Sequence, residues 1–269
     1  MATPTPSPDP QGRPFHSTFT LGAMLAAEAA TSIPALALLH QTSLLPSPPH
    51  SARILDNACG AGVIAKRLFE HLSNADISFQ LTCGDVDGTM EKLTADLIAE
   101  KQWRNVSAGR IDAHATGFPD GSFSHVLMNF GPQLMRDGVR ALGETYRILG
   151  SGGIAGFTCW VKAGWVPGVV EVFPEFKPPG LLQTDTWKEA GRMKEVLGEA
   201  GFVDVVVEEC DFVTRLDEAD GFLELMALLM PGLLHGENLR KYGRYLSGEV
   251  GKGSVEMIWQ ALIVSARKP

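Results

Sequence analysis

The feature that most constrains the fold is a regular alternation of strand-like and helix-like segments that begins at Arg53 and runs through most of the chain. Short apolar runs separated by longer helical patterns build mostly parallel sheets, because each crossover must carry the chain back to the same edge. Strands are expected at Arg53 to Asp56, Phe79 to Asp85, Val106 to Ile111, Ser124 to Asn129, Ile154 to Trp160, Val203 to Glu208 and Met257 to Ala266. Helices are expected from the turn at Gly62 to Leu72, over Met90 to Lys101, and over Asp137 to Leu149. Thr186-Trp187-Lys188-Glu189 has the form of a capping box that opens a helix ending before Gly201. A helix pair is expected over Leu216 to Leu229 and Gly236 to Gly248, and Gly150-Ser151-Gly152-Gly153 turns the chain into its fifth strand. The pattern is α/β, without internal repeats.

Around this alternation lie three less regular pieces. Residues 1–14 carry five prolines and no hydrophobic pattern, the composition of a disordered tail. Residues 15–50 form an N-terminal helical cap segment, interrupted near Pro34 and closed by Pro46-Ser47-Pro48-Pro49. Residues 51–269 form the main domain, with cap insertions near 161–183 and 211–250; the stretch from Ala163 to Gly180 is expected to be irregular.

Composition excludes several classes. Of 269 residues, 45% are hydrophobic and 20% charged, so the chain is globular rather than disordered or collagenous. Lys and Arg total 23 against 31 Asp and Glu, a net charge of -8, which disfavours nucleic acid and anionic lipid as partners. Cys59, Cys83, Cys159 and Cys210 stand far apart with no CxxC pair, so neither a zinc site nor a disulfide framework is expected, and no metal is assigned. The opening MATPTPSPDPQGRP lacks the apolar run of a secretory signal, and Leu21 to Leu39, with Glu28 and Pro34 inside it, suits a soluble helix better than a membrane span. The expectation is a cytoplasmic protein with no membrane partner.

Three blocks carry chemistry. Ile54-Leu55-Asp56-Asn57-Ala58-Cys59-Gly60-Ala61-Gly62 is a strand, a small-residue turn and a helix start, whose free N–H groups can face a ligand. Gly84-Asp85-Val86-Asp87 ends the second strand with a carboxylate placed to accept both hydroxyls of a ribose. Ile111-Asp112-Ala113 places a third acid where it can accept from an exocyclic amine. Gly60 to Ala65 also satisfies a GxGxxA dinucleotide fingerprint, but Asp56 separates strand from glycines and the Asp112 block has no dehydrogenase counterpart.

Taken together, ILDNACGAG, CGDVDGTM, IDAHATGFPDGSFSHVLMNF, YRILGSGG and LGEAGFVDV resemble the class I S-adenosylmethionine-dependent methyltransferases, most closely those acting on small molecules. The resemblance covers Arg53 to Phe202, with Met257 to Ala266 as the family's last strand. It implies a Rossmann-like seven-stranded sheet with a helical cap, and S-adenosyl-L-methionine as cofactor. Carried over by position, Asp56, Ala58, Gly60 and Gly62 would flank its methionine part. Asp85 would hold the ribose with Val86 against the adenine face, Asp112 and Ala113 would hold the adenine edge, and Asn129 and Phe130 would border the sulfonium. Ala58 stands where the family usually has its first turn glycine, and Ser124, followed by His125, where it usually has an acid.

A sulfonium carries its own leaving group, so such an enzyme chiefly aligns the acceptor with the methyl and excludes water; positioning of this kind supplies roughly 7–11 kcal/mol. The acceptor must be chosen outside the shared core. Phe19, Met24, Trp160, Trp165, Phe173 and Phe176 are the candidate pocket residues, an apolar set suited to an uncharged small molecule; the expected acceptor is a secondary metabolite methylated at O, S or N. Phe222, Met226 and Met230 recur at helical spacing, the pattern of a packed face. Among the histidines, His125 falls inside a strand, and His235 is the first to test as a base. A second reading keeps the fold and cofactor but not the reaction, as in relatives that act as cyclases or protein-binding subunits.

Overall fold

The computed structural model describes residues 20–72, 78–178 and 185–269, so the expected tail and Phe19 lie outside the described residues. The strands are β1 (Arg53–Asn57), β2 (Gln80–Asp85), β3 (Val106–Arg110), β4 (Phe123–Asn129), β5 (Leu149–Lys162), β6 (Val203–Leu216) and β7 (Val255–Arg267). They form one sheet in the order β3-β2-β1-β4-β5-β7-β6. β1 pairs in parallel with both β2 and β4. The chain therefore builds outward from β1 to β3 and restarts on the other side at β4. That reversal opens a crevice at the carboxyl ends of β1 and β4, where open α/β sheets bind ligands.

β7 alone runs antiparallel, wedged between β5 and β6. It brings Arg267 beside Ile154 and Val203, and the Lys268 backbone exchanges bonds with Gly152 and Gly153. The chain thus finishes at the edge opposite the crevice.

The helices are α1 (Leu21–Gln41), α2 (Val63–His71), α3 (Gly88–Lys101), α4 (Gly138–Ile148), α5 (Val166–Val172), α6 (Ala190–Glu199), α7 (Asp220–Leu229) and α8 (Gly236–Val250). Central parallel strands are buried on both faces, which is why β1 reads as an uninterrupted Ile-Leu run. Ile54 faces one layer, with Leu38, Ile64, Leu68 and Leu127. Leu55 faces the other, with Val126, Met128, Leu142 and Phe157. A third apolar cluster forms the cap, where Phe222, Met226 and Met230 are buried with Trp165, Phe212, Tyr242 and Trp259.

Several expectations are corrected. α1 passes through Pro34 without interruption, because Ala35, Leu38 and Leu39 beyond it are fully buried against the sheet and tertiary packing offsets the lost hydrogen bond. This apolar helix, mean hydropathy 1.5 over Gly22–Gln41, is accordingly half core element and half cap. The stretch expected to be irregular contains α5, opened by Pro167 in its first turn. Thr186 and Trp187 do not cap α6: they lie in a 3-10 turn, and Glu189 precedes the helix. Gly150 to Gly153 are part of β5, which starts at Leu149, and β6 continues to Leu216, taking Asp211 to Leu216 from the cap into the sheet.

α1 and α7 touch through backbone. A Cβ on Gly221 would lie 2.7 Å from the Gly22 carbonyl oxygen and 2.8 Å from its carbon. Backbone atoms cannot rotate away, so Gly221→Val should cost about 1–3 kcal/mol in denaturant unfolding. Gly191→Ala in α6, where a Cβ meets nothing within 4 Å, should instead gain up to about 1 kcal/mol.

Candidate active site

The crevice is built from three strand ends and a turn. After β1 the backbone enters left-handed conformations at Ala58, Gly60 and Gly62, with φ of 64°, 54° and 81°. Glycine adopts these freely, whereas Ala58 does so at a cost of about 1–2 kcal/mol. The turn is fixed by Cys59 N donating to Gly84 O at 2.9 Å and Thr94 Oγ1 donating to Gly60 O at 2.8 Å. At Gly62 an added Cβ would press on Leu97 at 3.2 Å, but at Gly60 it would meet nothing within 4 Å. Gly60 therefore borders open space at the head of α2.

Asp85 ties the turn to the second strand. Its Oδ2 accepts from Gly60 N and its Oδ1 from Asp87 N, both at 2.9 Å, and its backbone carbonyl accepts from Ile111 N. One residue, through its carboxylate and its backbone carbonyl, thus ties all three sequence blocks together. Val86 beside it is 43% exposed, a large apolar side chain uncovered at the crevice edge. Asp112 Oδ1 is met by the backbone N and ring Nδ1 of His114, each at 2.9 Å. Partial burial acts to raise the Asp112 pKa, but the His114 contacts and Arg140 outweigh it and hold the carboxyl below its ordinary value. Ala113 is buried next to it.

Asp56 is the electrostatic exception. It is 1% exposed, and neither carboxylate oxygen has a hydrogen-bond partner among the described residues. Burial, followed by repulsion from Asp85, pushes its pKa up to about 8. Orphaned buried acceptors cost free energy and imply something that satisfies them.

At the end of β4, Asn129 Oδ1 accepts from Thr158 Oγ1 at 2.7 Å, and Thr158 Oγ1 accepts from Phe130 N at 2.8 Å. This holds Phe130 at φ 59°, a rare conformation for a bulky residue and of a kind that clusters at functional sites. The Phe130 ring stacks on Trp160, 3.8 Å between centroids and 9° between planes. Gln133 locks that tryptophan, donating to Trp160 O and accepting from Trp160 N.

The structure brings Asp56, Ala58, Gly60, Gly62, Asp85, Val86, Asp112 and Ala113 to the ends of β1–β3, and Asn129 with Phe130 to the end of β4. The proposed pocket residues are less uniform. Met24, Trp160, Phe173 and Phe176 are half-buried, whereas Trp165 is buried in the cap, tilted against Phe176. None of them lines the cavity of about 590 Å³ bounded by Gln133 to Val139, Thr186 and Trp187. His235 is exposed at the start of α8. His125 is buried, bonded to Ser124, and pushed down to about 4 by burial, against the opposing pull of the Thr42 backbone. It sits four residues before Asn129, roughly 13 Å down the strand. Thr158, Thr94 and Gln133 were not foreseen. Threonine in a strand and glutamine after one carry no motif, and only strand register pairs Thr158 with Asn129.

With this geometry established, comparison with known proteins is decisive. Residues 54–153 match the model of a methyltransferase domain. The methyltransferase tpcH of Aspergillus fumigatus is 29% identical over 95% of this chain and 96% of its own. The chain is an S-adenosylmethionine-dependent methyltransferase with the class I fold. The acetylaranotin bis-thiomethyltransferase of Aspergillus terreus is 29% identical over 61% of this methyltransferase and 54% of its own length. Among solved structures, the cyclase SpnF superposes with a TM-score of 0.54 at 22% identity, covering 91% of this chain and 82% of its own.

The Asp56 shift has a pH signature. Between its ordinary 3.8 and about 8 the unfolded chain ionises Asp56 while the folded chain keeps it protonated. Stability therefore falls by about 1.4 kcal/mol per pH unit through that window and levels off above it. Asp56→Asn should abolish this component. Its stability relative to the unliganded wild type, from guanidinium unfolding at pH 5, 6.5 and 8, should rise steadily with pH.

Proposed function

We propose that this methyltransferase transfers the methyl group of S-adenosyl-L-methionine to an O, S or N atom of an uncharged small molecule, a secondary metabolite. The observation that carries the cofactor assignment is the Asp85 carboxylate, which joins the glycine turn to the second strand and stands beside exposed Val86. In this reading Asp85 accepts from the ribose hydroxyls, Val86 covers the adenine face, and Asp112 with Ala113 holds the adenine edge. Asp56, Ala58, Gly60 and Gly62 flank the methionine part, and the site fits it on two counts: the open space at Gly60 and the unsatisfied oxygens of Asp56. Asn129 and Phe130 border the sulfonium. The bound cofactor supplies an electrophilic methyl with its leaving group already attached. The protein orients the acceptor and excludes water, which the stacked Phe130 and Trp160 wall favours.

Support for a small acceptor comes from the aromatic cap and from the named substrate of the thiomethyltransferase relative. The two histidines weighed as bases lie outside this arrangement, one exposed and one deep in β4. A general base would add about 10²–10⁴-fold for a hydroxyl acceptor and less for a thiol. His235→Ala should therefore leave methyl transfer within a few-fold of wild type.

Calorimetry should show binding of S-adenosylhomocysteine and not NAD. Asp85→Ala should weaken binding by at least tenfold, since hydrogen bonds to a charged group are worth about 1.5–3 kcal/mol each. Incubation with labelled cofactor and a metabolite extract should yield a product heavier by one CH₂. Cofactor binding without any labelled product would favour a structural use of the cofactor.

Trp165 separates pocket from cap. Burial among Phe176, Val169 and Met230 predicts that Trp165→Ala loses about 3–5 kcal/mol of stability. Thermal unfolding with and without S-adenosylhomocysteine measures this, and an unchanged midpoint with weakened acceptor binding would return Trp165 to the pocket wall.

A further inference from the structure

The end of β4 is held by a chain of hydrogen bonds in which each group has one possible role. The Thr31 carbonyl can only accept, so the Asn129 atom that meets it at 3.3 Å is the amide nitrogen Nδ2. That fixes the orientation of the amide. Oδ1 faces Thr158, which spends its single hydroxyl proton there at 2.7 Å. The Thr158 oxygen is then left to accept from Phe130 N at 2.8 Å. Thr158 is fully buried, so removing its hydroxyl would leave both Phe130 N and Asn129 Oδ1 without that partner.

Phe130 depends on this hold. Its φ of 59° is costly for a residue with a Cβ, and such a conformation persists only where the surroundings over-determine it. β5 supplies two restraints at once. Thr158 takes the backbone N–H, and Trp160, two residues on and on the same face of the strand, stacks on the ring at 3.8 Å. β5 is itself an interior strand, with Thr158 beside Asn129 on one side and Ile263 on the other. The corner so fixed is electron-rich. Asn129 Oδ1 keeps a second lone pair beyond the one that Thr158 occupies, and Phe130 adds an aromatic ring. Both attract a cation, and neither offers that attraction to a neutral sulfur.

We propose that Thr158 is a positioning residue for the methyl donor: its hydroxyl fixes Asn129 and Phe130 as a wall that favours the charged sulfonium over the neutral thioether left after transfer. Thr158 touches neither reactant and acts through its two neighbours. Methyl transfer leaves the bonding electron pair on sulfur, so the positive charge at this corner disappears in the same step. A wall held in this way grips the donor before transfer and loosens its hold on the product afterwards. The proposal rests on the cofactor reading given above.

Calorimetry with S-adenosyl-L-methionine and S-adenosylhomocysteine as separate probes reads the difference in charge. Thr158→Val keeps the side-chain shape and removes the hydroxyl. It should shift the ratio of the two dissociation constants about tenfold against the charged ligand, with affinity for the neutral one held within a few-fold. Thr158→Ser keeps the hydroxyl and should restore the wild-type ratio, whereas general loosening of the site would weaken both ligands alike. Thermal unfolding shows first whether the valine variant folds; if it does not, Asn129→Leu is read in the same way and should give the same shift. An unchanged ratio, equal weakening of both ligands, or a serine variant that behaves like valine overturns the positioning role and leaves the cofactor reading in place. A wild type that binds neither probe overturns that reading, and this proposal with it.

Discussion

The parallel pairing of β1 with β2 on one side and β4 on the other is the constraint on which the rest of the structure depends. Ile54, Leu55 and Asp56 are in register with Leu81, Thr82 and Cys83, and equally with His125, Val126 and Leu127. Because both neighbours run in the same direction, all three carboxyl ends emerge at one edge, and the reversal of chain order parts the connections there. The glycine turn, the Asp85 loop and the Asn129–Phe130 corner are consequences of where those strands stop. The Asp85 carboxylate then converts proximity into fixed spacing, since it accepts backbone N–H groups from two different connections.

Much of this was legible in the chain because the signals are local. A small-residue turn with positive φ, an acid at a strand end and an alternating pattern of segments each depend on neighbours a few residues apart. The positions of the strands followed from that pattern, and the burial of Phe222, Met226 and Met230 from their helical spacing. What escaped was decided by distant contacts. Pro34 signals an interruption locally, but Leu38 and Leu39 have a sheet to pack on. Thr186 has a capping-box partner in Glu189, yet Trp187 is drawn into the sheet-side core and the helix starts later. Thr158 acquires its role only because β5 lies beside β4 in one register. Glu28 is an ordinary helix acid until α2 is folded against it.

The acids of the crevice differ in how they hold their protons. Asp56 and Asp85 lie close enough to repel, and the buried member of the pair responds by holding its proton. A positive ligand nearby would favour the ionised form, so binding such a ligand would release the proton of this carboxyl. Asp112, by contrast, is held ionised by His114 and Arg140. Neighbouring acids in one crevice are thus kept in different charge states, by burial and the neighbouring Asp85 on one side and by local donors on the other.

The antiparallel insertion of β7 has a practical consequence for handling the molecule. Since that strand carries the chain away from the crevice, anything joined after Pro269 would leave from the far edge of the sheet, beside Gly152 and Ser151. Immobilisation, fluorescent labelling or fusion to a partner enzyme can therefore be made there. The carboxyl side offers an anchor point remote from the crevice.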